Sequence, residues 1–286
     1  MRERRVTYRG GIYIDRLVHT GDAVTVLAHE RRAPNARVEL SASRVFVACG
    51  AVSSTRLMLA SMGRTPGTRR LHDSQYFLIP MATARAAPIR VTGQGNTLAQ
   101  IFLELDDERI SRYTAHMQIY GYNDLMISPF AARLPMRADA LERVLGPVAR
   151  RILVIQGYLH SRDSPGLTVH TSTDSVRLVG DDRGGVDVRI GRLVRHLAAN
   201  ARVLGMVPIP GLTQFGQPGK SNHLGGSFPM RLEPAEMETD TVGRLAHWDR
   251  VHLVDASVLP SVPATTVTLS VMANAHRIAA AAAIAQ

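Results

Sequence analysis

The sequence predicts an α/β layer entered twice, with an α+β layer between the two passages. Three observations carry this fold class, α/β plus α+β. Residues 44–61 read as a short apolar strand running through a glycine into a helix, residues 71–205 alternate bulky strand-like runs with segregated helices, and residues 251–285 return to a strand followed by a helix.

In chain order, Ile12-Tyr13-Ile14, a Gly21-Asp22 turn, residues 23–28, a Pro34-Asn35-Ala36 turn and residues 37–40 predict a small β-meander. Val45-Phe46-Val47-Ala48 is a continuous apolar run of the kind that fills a strand buried on both faces. It ends at Gly50, and Ser53 or Ser54 is placed to cap a helix carrying Leu57, Met58 and Leu59. Strands are expected at 76–82, 100–105, 113–120, 152–160 and 167–171, with helices at 138–150 and 188–204, the latter stopping at Gly205. The tail adds a strand at 251–254 and a helix over 266–285. Those two apolar strands, 45–48 and 251–254, are expected to share one sheet although about 200 residues separate them.

With 286 residues, 45% of them hydrophobic, the chain is long enough to bury one large core or two modest ones. The net charge of +10 comes from 34 Lys and Arg residues, of which Lys220 is the one lysine, and it is dispersed. The clusters at Arg2-Glu3-Arg4-Arg5 and Arg69-Arg70 are short, and no zinc finger, RNP motif or basic helix accompanies them, so nucleic acid is not an expected partner. Cys49 stands alone and forms no intrachain disulfide. At the end of an apolar strand it reads as a small core residue rather than a reactive thiol. No apolar run approaches the ~18 residues of a membrane span, and no secretory h-region opens the chain. The expected location is cytoplasmic. His247 and His252 have no acidic or cysteine companion at ligand spacing, so no metal is expected. Gly93-Gln94-Gly95 has neither a preceding strand nor a third glycine and reads as a turn.

Chemistry concentrates near the C-terminus. His223 sits beside Gly225-Gly226 after a loop rich in Gly and Pro, where functional residues gather on rigid scaffolds. Alone, such a histidine is more often a turn or surface residue. Asp255 ends the strand at 251–254 and either caps the following turn or contacts a ligand. Thr265 and Thr266 stand at the entrance of the last helix as N-caps or as ligand contacts. A strand leading into G-x-G-x-x-G at a helix start is not found in the sequence.

The frame of His223, Gly226, Ser227 and Met230, followed by Val254-Asp255-Ala256-Ser257, a Pro-rich turn and a final helix, resembles the C-terminal signature of the glucose-methanol-choline (GMC) family of FAD-dependent alcohol oxidoreductases. Gly50-Ala51 and the Ser-Ser-Thr turn into a leucine-rich helix resemble an internal signature of the same family. The resemblance implies FAD as cofactor and a small-molecule alcohol as substrate, with hydride passing from the CH–OH carbon to the flavin. It implies His223 as general base, and flavin contacts from Gly50, Ala51, Asp255, Ala256, Thr265, Thr266 and Val267. It further implies a partial FAD-binding domain at 1–70 and 206–286, built of a mixed sheet, a β-meander and helices, with an antiparallel-sheet substrate-binding domain inserted at 71–205.

The chain departs from the family at Ser54-Thr55, Met62 and Cys49 in the internal signature, and at two points that bear on the chemistry. The second catalytic position, usually His or Asn and eleven residues after the Asp, is Thr266, which hydrogen-bonds but does not act as a base near neutral pH. Asn274 lies eight residues farther, about 12 Å along a helix, and does not replace it. The ADP-binding βαβ unit is also absent. The readings are therefore a fragment, a split enzyme completed by a second chain that supplies the N-terminal half, or a non-catalytic remnant serving as a binding or scaffold module.

Overall fold

The structure, a computed structural model, describes residues 6–85, 99, 101–121, 151–182 and 184–284. The expected helix at 138–150 and the Gly93-Gln94-Gly95 turn lie outside the described residues.

The meander is present as β1 (Ile12–Thr20), β2 (Ala23–Glu30) and β3 (Ala33–Ala42), antiparallel in that order. Its second turn is not at Pro34-Asn35-Ala36. The chain reverses at Arg31-Arg32, with a register irregularity between His29 and Glu30, and Pro34 lies inside β3. Because β3 is an edge strand, the amide that proline lacks is not required by a neighbour.

The strand β4 (Val45–Val47) leads through Gly50 into α1 (Ala51–Ser61). Gly50 has φ 85° and ψ 150°, which glycine adopts without steric cost, and it forms the helix N-cap with no side-chain cap. Ser53 and Ser54 lie inside the helix instead of capping it. Cys49 is exposed rather than a core residue, because β4 ends two residues before it.

Two further sheets follow. The four-stranded one has the order β11 (Val176–Gly180), β10 (Leu167–Thr171), β5 (Gly67–Asp73) and β14 (Leu224–Gly225). The six-stranded one runs β12 (Met206–Pro208), β6 (Tyr76–Thr83), β9 (Ile152–Tyr158), β8 (Ala115–Tyr120) and β7 (Ile101–Leu105), with β13 (Gln214–Phe215) also on β6. Every pairing in both is antiparallel. The expected helix at 188–204 is two helices, α2 (Val186–Ala199) and α3 (Ala201–Leu204), separated by Asn200. Val186, Ile190, Leu193 and Leu197 recur at helical spacing and pack with Phe77, Ile79, Met81, Met117 and Ile155 in one core.

The chain then returns to its first layer. The strand β15 (Val251–Leu253) pairs in parallel with β4, Val45 opposite Val251 and Val47 opposite Leu253, so the two apolar strands share a sheet as expected. One face of this pair packs against Leu17, Val24, Leu57, Met58 and Phe228. The expectation of burial on both faces is corrected: Phe46, on the other side, is 45% exposed and stacks on His252. The last helix, α4 (Thr268–Ile284), starts two residues later than expected. Among the described residues no helix is long and apolar enough to cross a membrane.

Candidate active site

The loop that carries His223 is fixed from below by β5. Asp73, buried at the end of that strand, accepts a hydrogen bond from Gly219 N at 2.6 Å and another from Ser221 Oγ, and Ser221 Oγ in turn accepts from His223 N at 2.9 Å. Burial raises the Asp73 carboxyl above its ordinary value, while these donors oppose the shift. Neither Asp73 nor Ser221 is recognisable from the sequence, because they lie 148 residues apart and meet only through the β5–β14 pairing.

The glycine pair after His223 allows a close backbone approach. A Cβ at Gly225 would stand 2.5 Å from the carbonyl oxygen of Ala256. At Gly226, where φ is +71°, it would meet the His72 ring at 2.2 Å. With no side chains there, Gly226 N reaches Ala256 O, Phe228 N reaches Ser257 O and Met230 N reaches Val258 O, each at 2.9 Å. The segment from 224 to 230 is thereby zipped onto the turn after β15.

Asp255 closes the other side. One carboxylate oxygen accepts from Gly50 N at 2.9 Å and from Ser54 Oγ, and the other accepts from Ser257 N at 2.8 Å. It therefore caps its own turn and ties it to the N-terminus of α1. Ser227 Oγ lies 2.7 Å from Thr55 Oγ1, adding a second link between the histidine loop and that helix. Gly50, Ala51, Asp255, Ala256 and the His223 loop thus converge. Thr265 and Thr266 are exposed ahead of α4, Val267 is half-buried and accepts from Val271 N at 2.9 Å, and none of the three is hydrogen-bonded to His223.

His223 itself rests on the ring of Tyr158, with centroids 4.8 Å apart. Burial, and secondarily the charge of His116, hold its pKa below the ordinary histidine value, so the imidazole is a free proton acceptor near neutral pH. Its Nδ1 is enclosed with no hydrogen-bond partner among the described residues. Tyr158 and His116 were not legible as site residues. The available signal was the alternation of His116, Gln118 and Tyr120 with Met117 and Ile119 along one strand.

Residues 211–275 match the family model described as GMC oxidoreductase. Among solved structures, the chain is similar to pyridoxine 4-oxidase from Mesorbium loti, with 17% identity and a TM-score of 0.62 over 94% of this chain and 56% of that one. It is also similar to an FAD-dependent oxidoreductase from Chaetomium thermophilum, with 13% identity and a TM-score of 0.59 over 95% of this chain and 60% of that one. At these identities the likeness establishes the fold. The chain spans somewhat more than half the length of these neighbours. No curated protein matches it significantly. The segment that matches the GMC oxidoreductase model carries both His223 and Asp255, and the fold around it is similar to those two solved structures.

Proposed function

We propose that this chain supplies the substrate side and the flavin side of an oxidoreductase that oxidises the CH–OH group of an alcohol, with His223 taking the hydroxyl proton. The observation that carries the reading is the state of His223: clamped through Ser221 to Asp73, half-buried on Tyr158, and held as a neutral base by burial.

The family and its FAD-dependent neighbours imply FAD as the cofactor. The residues present fit its flavin portion. The N-terminus of α1 is met by the Asp255 carboxylate through Gly50 N, and open space lies beside Gly50, where a Cβ would meet nothing within 4 Å. Gly50, Ala51, Asp255 and Ala256 would hold the group from this side, and Thr265, Thr266 and Val267 from the start of α4. When bound, FAD supplies the acceptor for the hydride leaving the carbinol carbon. His223 accepts the proton from the hydroxyl oxygen as that hydride leaves, so the alcohol loses two electrons and two hydrogens and becomes a carbonyl compound. Thr266 donates or accepts a hydrogen bond and moves no proton.

One observation supports completion of this layer by an ADP-binding half. The parallel pair β4–β15 is three residues long in each strand and leaves Phe46 exposed, while Leu269 and Met272 on α4 are 78% and 64% exposed. A two-stranded parallel sheet is not a stable unit by itself. A non-catalytic scaffold would bind such a half without turning over alcohol. Co-expression with a strand–glycine loop–helix polypeptide, followed by anaerobic flavin reduction with a panel of alcohols, tests the proposal. Complex formation without reduction by any alcohol would leave the scaffold role and remove the enzymatic one.

A further inference from the structure

The six-stranded sheet has an apolar face that enters the core and a polar face that the packing of the described residues does not explain. Phe77, Ile79, Met81, Met117 and Ile155 enter the core with α2. Alternation places their neighbours on the opposite side, and the strand register aligns them in rows. Tyr76 stands opposite Tyr158, Tyr158 opposite His116, and His116 opposite Glu104. In the adjoining row Gln156 stands opposite Gln118, and Gln118 opposite Phe102. His223 lies over Tyr158 at the centre of the first row.

These side chains form a connected, mostly neutral network. Glu104 Oε1 is 2.5 Å from His116 Nδ1, Gln118 Nε2 donates to His116 Nε2 at 3.2 Å, and Tyr120 OH donates to Gln118 Oε1 at 2.6 Å. Gln156 Nε2 donates to the Tyr158 hydroxyl. Among the described residues the Tyr76 hydroxyl and the Gln156 carbonyl oxygen are left uncommitted by this network, and the Tyr158 hydroxyl, which accepts from Gln156, keeps its own proton. Neither the Tyr76 hydroxyl nor the Gln156 carbonyl oxygen belongs to the enclosed, unpartnered atoms of the described residues, so both are open to a ligand. Tyr76 is pushed up to about 12 by burial first and then by Tyr158 and Tyr120, which keeps it a neutral donor. The one carboxylate in the rows, Glu104, is engaged by His116, and neither row contains an arginine or lysine. Phe102, 52% exposed, stacks on His116 and adds an aromatic surface beside the amides.

We propose that this face is the specificity wall of the site, with Gln156 and Tyr76 as its recognition residues, and that it selects a neutral cyclic alcohol bearing additional hydroxyl groups. The phenol rings offer flat apolar surfaces to the C–H bonds of such a ring, and the open phenol and amide groups pair with its hydroxyls. A plain alkyl alcohol would leave those groups unpaired, and a site built to hydrogen-bond a substrate discriminates strongly against analogues lacking the matching groups. A quaternary ammonium alcohol would find no free carboxylate. The inference rests on the redox reading only for which hydroxyl reacts.

The test is therefore a binding measurement that needs no flavin. Saturation-transfer NMR and calorimetric titration of the full chain would use myo-inositol, 1-hexanol and choline as probes. Myo-inositol is expected to bind saturably and more tightly than either other probe. Gln156→Leu should weaken it about 3–10-fold, the size of one lost neutral hydrogen bond. Tyr76→Phe, which removes only an oxygen, should do the same and serves if the leucine variant fails to fold. Absence of saturable inositol binding, equal or tighter binding of hexanol or choline, or unchanged inositol binding in folded variants would overturn the proposal. Loss of alcohol turnover in the completed enzyme with inositol binding intact would instead count against the redox reading alone.

Discussion

The Asp255 carboxylate accepts the backbone amide of Gly50 at 2.9 Å, joining two points of the chain 205 residues apart. The same oxygen holds Ser54, and the other holds Ser257 N. Asp255 is thus the junction at which β4, α1 and the turn after β15 are held together.

Replacing this carboxylate should destabilise the fold. Asp255→Ala leaves Gly50 N, Ser54 Oγ and Ser257 N without their acceptor, and hydrogen bonds to a charged group contribute about 1.5–3 kcal/mol each. We expect a loss of about 3 kcal/mol or more in urea unfolding, and a smaller loss for Asp255→Asn, which keeps one oxygen. A change under 1 kcal/mol for the alanine variant would show that the junction is not structural.

The Asp73–Ser221 pair should govern the order of the histidine loop. Ser221→Ala removes both the acceptor for His223 N and a donor to Asp73, so faster amide exchange at His223 is expected, with a stability loss of about 1–3 kcal/mol. Exchange at the wild-type rate would mean that the loop is held by its contacts with the turn at 256–258 alone.

Acid should weaken the fold below the ordinary histidine value. His72, His160, His223 and His252 are all held low, in each case first by burial. The unfolded chain then binds more protons than the folded one, so this stabilisation is fully present above pH ~6.5 and is lost as pH falls toward the lowered values. Asp73, raised by burial, acts in the opposite sense but nearer the carboxylate range. Thermal melts should show the midpoint dropping from pH 7 to pH 5. A flat or rising midpoint would contradict the shifts.

The isolated chain should not retain FAD in stoichiometric amount. The groups that fit the flavin portion are present, but no glycine-rich loop for a pyrophosphate was found in the sequence, and ordering the binding loops opposes the remaining contacts. Absorbance of the purified protein at flavin wavelengths decides this, and a full complement of bound flavin would refute the expectation.

Much of the fold was legible because local pattern and tertiary role agree. The meander, the strand-to-helix passage at Gly50 and the membership of the strands at 45–48 and 251–254 in one sheet follow from apolar runs that end at small residues. The errors fall where context overrides pattern. Pro34 suggests a turn but sits on an edge strand that does not need its amide. Ser54 suggests a cap, yet its hydroxyl is drawn to Asp255 from across the chain. Of the candidate site, His223, Asp255 and Gly50 carried a family frame. Tyr158, His116, Asp73 and Ser221 did not, because their roles arise from strand register and long-range pairing that one-dimensional spacing does not encode.

The central claim is that His223 is the proton acceptor of an alcohol oxidation. In the enzyme completed by its dinucleotide-binding half, stopped-flow measurement of alcohol oxidation under anaerobic conditions tests it most directly. His223→Ala should slow the reaction by about 10²–10⁴ with FAD content unchanged, the usual cost of losing a general base. Thr266→Ala should cost less, since its hydroxyl only positions, and Thr266→Asn should raise the rate. An unchanged rate in His223→Ala, with flavin still bound, would contradict the account.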